Sequence, residues 1–435
     1  MLIYPEYLPI ILNVNGNDAR LVQLFIMSAK PQGITKKLLQ PMTSSIKIDL
    51  ARELASELPT PAIDLGLRAG LDPLHPLYRS GVATSFATWN VLNLWAHKDI
   101  KTAGVQAINA FSESACVSRY LGGLSIPHTT CEARIARFLA SDAAVLFASR
   151  NQAVLTLVTA LACGGGVVIG PAMSTLPLAD ACALVDLEYI ECESLQEYQR
   201  AIQRHQAAPR ILVFVETISA TTGRRIELAS LLGGLPQPNA WFVIDESSAL
   251  AHSGIRGAGS AELLPSAPFL LARLLSAQLI TGGQIAALSC SNELRDLLVQ
   301  RSRYLRSEPP PSTIDVASLT AGLDLIEVAL TGREKLAIRS QSVQLALREQ
   351  GWQVASADDL PLVTLWFESY QQARTIQEAL LARGIVVDAL TARSIRRNGA
   401  VVRIILSSGH TELEVTRLLD SLLEVRKRVF GSKEW

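Results

Sequence analysis

The feature that most constrains this chain is a regular alternation of short apolar runs and helical stretches between residues 144 and 289. Ala144–Phe147, Gly166–Ile169, Leu187–Ile190, Ile211–Glu216, Trp241–Asp245 and Gln284–Ser289 read as strands. Gln152–Ala162, Leu195–His205 and Ile226–Leu232 between them carry helical patterning. Parallel strands need a crossover, and a helix is the usual one, so the alternation predicts an α/β fold with a mainly parallel, doubly wound sheet. Upstream, Ile100–Ser112 and Thr130–Ser141 read as amphipathic helices, the second capped by its Thr with Glu132 in the first turn. Helix Asp315–Leu330 is expected to bridge to a smaller α+β domain built from Leu336–Glu349, Leu360–Phe367, Tyr370–Arg383, Val401–Leu406 and Thr411–Val425. Three parts are therefore expected: an N-terminal arm (1–85) with a helix near Lys47–Leu58, a large domain (86–325) and a small C-terminal domain (326–435).

Composition narrows the function. Forty basic and forty acidic residues cancel, with no run of either sign, which argues against a nucleic-acid binder. No apolar stretch reaches the roughly 18–20 residues that span a bilayer. The expectation is a soluble cytoplasmic protein, with a peripheral membrane contact through the arm left open. Six cysteines without a CxxC pair or a histidine at ligand spacing read as small buried residues, so neither a metal site nor a disulfide framework is expected.

Between Lys101 and Lys335 the chain has no lysine. That gap covers several motifs. FVIDESSALAHSGIRGAG (Phe242–Gly259) is a strand ending in Asp245 followed by glycines at 254, 257 and 259. Val215–Gly223 (VETISATTG) is a strand and turn, and Gln300–Pro311 (QRSRYLRSEPPP) and Val402–Leu422 follow in order; Cys131–Leu139 with Ala143–Ser149 precede them. Together these segments resemble the α-oxoamine synthase family of fold-type-I pyridoxal-phosphate (PLP) enzymes, over about residues 88–426. The resemblance implies a fold-type-I PLP-transferase large domain with a mainly parallel sheet, a small C-terminal domain and dimers whose active sites borrow residues from both chains. Such enzymes carry PLP as a Schiff base on a lysine.

Carried over by position, the resemblance makes Asp245 the partner of the cofactor's pyridine nitrogen. The histidine three residues later is Ser248 here, and the histidine that stacks on the ring falls on Thr175, or on Ser174 with a one-residue slip. The backbone loop that cups the phosphate reads Ser149-Arg150-Asn151-Gln152, with Arg150 replacing a glycine that permits close approach. The neighbouring subunit's Ser-Thr becomes Ser307-Glu308, whose carboxylate would repel a phosphate; a cross-interface Arg150–Glu308 ion pair is one way to neutralise it. The lysine itself is expected among Arg273, Leu274 and Leu275, and arginine cannot form the imine. Arg403 aligns with the arginine that binds the substrate carboxylate, or serves as a structural salt bridge. His252 reads as a polar loop residue and His410 as part of a helix-capping turn. No catalytic residue and no metal ligand is assigned.

These departures resemble those of the lysine-free subunit of serine palmitoyltransferase. They imply a catalytically silent chain with no cofactor of its own, paired with a lysine-bearing paralogue that supplies PLP to an acyl-CoA:amino acid C-acyltransferase. Two alternatives stand beside it. One is a homodimeric pseudoenzyme with the cleft re-used for binding. The other is an active enzyme that holds PLP without a lysine and uses His252 as base.

Overall fold

The computed structural model describes residues 83–114, 117–172, 174–233, 238–264, 269–393 and 398–430. All belong to one compact unit. The helix expected near Lys47–Leu58 and nearly all of the expected arm lie outside the described residues.

In chain order the strands are β1 (Thr84–Ser85), β2 (Ala143–Phe147), β3 (Val167–Pro171), β4 (Glu188–Cys192), β5 (Ile211–Glu216) and β6 (Ala240–Asp245). They continue with β7 (Leu270–Ser276), β8 (Ala286–Cys290), β9 (Leu362–Phe367), β10 (Ile385–Val386), β11 (Asp388–Arg393) and β12 (Asn398–Ile405). Seven form one sheet in the order β2-β8-β7-β6-β5-β3-β4. The run from β4 to β7 is parallel, and β8 alone runs against its two neighbours. This is the fold-type-I PLP-transferase sheet expected from the motifs. A second, antiparallel sheet has the order β11-β12-β9, and β1 pairs with β10.

The central strands are buried on both faces and accordingly read as unbroken apolar runs, as in ILVFVE of β5. Helix Arg150–Leu161 packs on one face through Val154, Leu157 and Val158; helix Leu195–Arg204 covers the other through the fully buried Tyr198 and Ile202. Helix Thr313–Val328 packs on Lys98–Phe111 and on Ile126–Phe138. Ile280 fits against Gly322, where an added Cβ would stand 2.3 Å from its methyl carbon.

Three expectations need correction. β7 (LLARLLS) was not expected as a strand, because an arginine at its centre breaks the apolar pattern. The helix expected from Thr130 begins at Ile126: Ser125 caps it with His128 in a reciprocal capping box, and Pro127 sits in the first turn where its missing N–H costs nothing. Among the cysteines, Cys163 is exposed rather than buried, and Cys116 lies outside the described residues. No helix among the described residues is long and apolar enough to cross a membrane.

Candidate functional site

Carboxyl ends of parallel strands are where such sheets place ligands, and here three of them converge on a charged cluster. Asp245 ends β6 and is almost fully buried. One of its oxygens accepts the Ser247 N–H at 2.9 Å; the other lies 3.3 Å from Nη1 of Arg150. Arg150 is the first residue of helix Arg150–Leu161, whose cap is Ser149: the hydroxyl accepts the Gln152 N–H at 3.2 Å. A cation at a helix N-terminus faces the positive end of the macrodipole, and the Asp245 carboxylate offsets that repulsion. The second guanidinium nitrogen, Nη2, donates to the Thr175 hydroxyl on the loop after β3. One arginine therefore bridges the end of β6 and the β3 loop.

Beside them Glu216 ends β5, in register with Asp245. Burial pushes its carboxyl up to about 7, and the neighbouring Asp245 charge adds to the rise. The Ser174 hydroxyl, 2.7 Å from its Oε1, the Arg150 charge and the Thr175 N–H pull the other way. Glu216 also lines a cavity of about 400 Å³ with Pro171, Cys192, Thr222, Arg224 and Trp366, where the large sheet faces the three-stranded one.

The next residue, Glu246, belongs to a different system. It is fully buried and accepts the backbone N–H groups of Ser260 and Ala261, each at 2.8 Å, and Arg273 Nη2 at 2.9 Å. Gly259, at φ +94°, makes room for it: a Cβ there would stand 2.4 Å from the carboxylate. Gly254 does the same for Glu262, which accepts the N–H groups of Arg256 and Ala258. The glycine-rich loop after β6 thus wraps two carboxylates of its own chain.

Side chains alternate across a strand, and residues in parallel register share a face. Leu274 is the register partner of Asp245, so Arg273 points to the opposite face, and Ser276, two residues on at the strand end, shares the face of Asp245. Ser276 is buried, and its hydroxyl accepts the Gln278 N–H. Of the three positions expected for the lysine, Leu274 shares the face of Asp245 while Arg273 and Leu275 do not, and Ser276 is the next residue on that face. The lysines among the described residues (Lys98, Lys101, Lys335 and Lys427) are exposed on helices.

The remaining sequence candidates lie in other settings. Ser248 offers its carbonyl to His252 Nε2 at 2.7 Å, and Ser253 reaches His252 Nδ1. Burial drives His252 down to about 4, so it is a neutral, internally bonded ring. Arg403 gives Nε and Nη2 to Asp388 and Nη1 to the Ala220 carbonyl, and its guanidinium lies over the Trp89 ring at 5.1 Å. A substrate carboxylate would have to displace Asp388. Ser307 ends a short helix that Glu308 closes, its N–H donating to the Tyr304 carbonyl at 2.8 Å. Within the chain, Arg150 is engaged by Asp245 and Thr175. His410 ties β1 to the last helix through the Ser85 carbonyl. Sequence reasoning missed Glu216 and Glu246; a carboxylate at, or just after, the end of an all-apolar strand was the available signal.

Comparison with known proteins agrees with this architecture. The family model for aminotransferase class I and II matches residues 92–422, and the chain belongs to that family. It is 25% identical over 346 residues to the 8-amino-7-oxononanoate synthase of Geobacter sulfurreducens, covering 78% of this chain and 88% of that protein. Among solved structures it resembles the serine palmitoyltransferase of Sphingomonas wittichii, with a TM-score of 0.76 and 20% identity over 88% of this chain and 97% of that one. A serine palmitoyltransferase solved as its PLP internal aldimine superposes with a TM-score of 0.74 at 20% identity, over 80% and 88% of the two chains. The α-oxoamine synthase resemblance drawn from the motifs is thus supported over the same span.

Proposed function

We propose that this chain is a catalytically silent α-oxoamine-synthase-like protein, acting as the structural or regulatory subunit of a dimeric acyl-CoA:amino acid C-acyltransferase of the serine palmitoyltransferase type. The observation that carries the reading is Ser276. It stands at the end of β7 on the face of Asp245, and a serine hydroxyl cannot form an imine with an aldehyde. The other residues fit PLP no better. Asp245, which would hold the pyridine nitrogen, already has Arg150 as its cation, and Thr175 offers no ring to stack. PLP chemistry is accordingly assigned to a lysine-bearing partner, and residues 326–435 are read as the small domain of the scaffold.

Exposed apolar side chains support a partner. Val105 and Ile108 share a face of helix Lys98–Phe111, and Tyr120, Leu121 and Ile126 follow, all well exposed. The test is a pull-down of the full chain, with the visible absorbance of PLP read on the complex and on the isolated chain. The expected result is a paralogue with a lysine at the position of Ser276, and colour only in the complex. A chain that purifies alone, and stays alone when such a paralogue is co-expressed, contradicts it. The cavity beside Glu216 favours one second reading, a homodimer that re-uses the cleft for binding. The reading with His252 as base is disfavoured by the two hydrogen bonds that hold its ring.

A further inference from the structure

The crevice sets two buried carboxylates, Asp245 and Glu216, beside the guanidinium of Arg150, a cation that belongs to the chain itself. Arg150 reaches from the start of its helix to the end of β6 and to the β3 loop. These are the two groups between which the family resemblance places a pyridinium ring: a carboxylate for its N–H and the residue that would lie over its face. A guanidinium is planar, delocalised and permanently charged, so of the protein's cations it is the one closest in shape and charge to a protonated pyridine. It meets Asp245 with one nitrogen and Thr175 with the other. Without it, Asp245 would keep only the Ser247 N–H as a partner, and a carboxylate this deeply buried is costly to leave unpaired.

We propose that Arg150 is an internal stand-in for the cofactor ring, filling a cation-binding crevice built on Asp245 with a guanidinium and closing it to pyridoxal compounds. The crevice is a guanidinium site whose ligand is covalently part of the chain. This holds with or without a partner subunit, so a failed pull-down would sink the proposed function and leave this inference standing.

The test uses the full chain and methylguanidinium chloride as the probe. Arg150→Ala opens the crevice and is expected to lower the unfolding midpoint by about 5 °C, as loss of a partly buried ion pair does. Millimolar methylguanidinium should recover a substantial part of that shift, while sodium chloride at equal ionic strength should not. Wild type should gain nothing from it, and neither should the double variant Arg150→Ala/Asp245→Asn. An equal response of wild type and Arg150→Ala, or a response that survives in the double variant, overturns the inference. If Arg150→Ala does not fold, the double variant decides. Removing both charges should restore folded protein, and continued failure counts against the pairing. Pyridoxamine 5′-phosphate, which needs no lysine, reports whether the crevice has room: measurable uptake by wild type also contradicts the proposal.

Discussion

Asp245 and Glu246 are neighbours in sequence, each neutralised by an arginine, and they live in different regimes. Glu246 is sealed in the core behind Gly259, with two backbone donors and a 2.9 Å contact to an equally buried Arg273. Asp245 is buried too, but it has one backbone donor and a 3.3 Å contact to Arg150, whose side chain keeps 21% of its surface exposed. The first is a part of the fold that no ligand can visit. The second has the form of a ligand site, with a carboxylate at a strand end met by a partly exposed cation arriving from another element. Strand alternation assigns consecutive residues to these two duties.

The contrast is broken most severely on the Glu246 side. Arg273→Met should destabilise the protein by about 3–5 kcal/mol, the cost of stranding a buried carboxylate, read from urea unfolding. A loss no larger than that of Arg150→Ala would erase the distinction.

Glu216 gives the next effect. Its folded-state carboxyl titrates near 7, above the ordinary 4.5. Between those values the folded chain keeps a proton that the unfolded chain has released, so this group's contribution to stability falls as pH rises across the window. His252, lowered from 6.5 to about 4, works in the opposite sense over an overlapping range. The difference between wild type and Glu216→Gln therefore isolates the acid. The variant should gain up to about 3 kcal/mol relative to wild type between pH 4.5 and 8, and a pH-independent difference would contradict the raised value.

Arg150→Ala should cost less than Arg273→Met, about 1–3 kcal/mol, because water reaches the guanidinium. The smallest effect sets the baseline. Arg225→Ala, which removes the exposed pair in which Nη2 donates to both oxygens of Asp359, should change stability by roughly 0.5 kcal/mol. If Arg150→Ala falls to that level, its contact with Asp245 is only a surface pair.

Much of the fold was legible because buried parallel strands are written as continuous apolar runs, and helix caps as Ser or Thr at fixed offsets. β5 and β6 were found to within a residue at each end. β7 was not, because the partner that makes Arg273 tolerable, Glu246, lies just past the end of another strand and its burial leaves no local mark. The site was legible in part. Asp245 stood out as the last residue of a strand, and Arg150 as an intruder in a glycine's place. Their pairing was not visible, since 95 positions separate them and Glu308 offered a competing partner. The facing of the stretch 273–276 was not legible from spacing alone: it takes the register of β6 with β7 to show that 273 faces away from Asp245 while 274 and 276 face with it.

The most direct test of a scaffold without an aldehyde anchor is to mix the isolated chain with stoichiometric PLP, reduce with borohydride and map the peptides by mass spectrometry. The account predicts a colourless protein with no pyridoxyl group on any lysine from 83 to 430. A yellow protein that reduces to a single labelled lysine at full occupancy would contradict it.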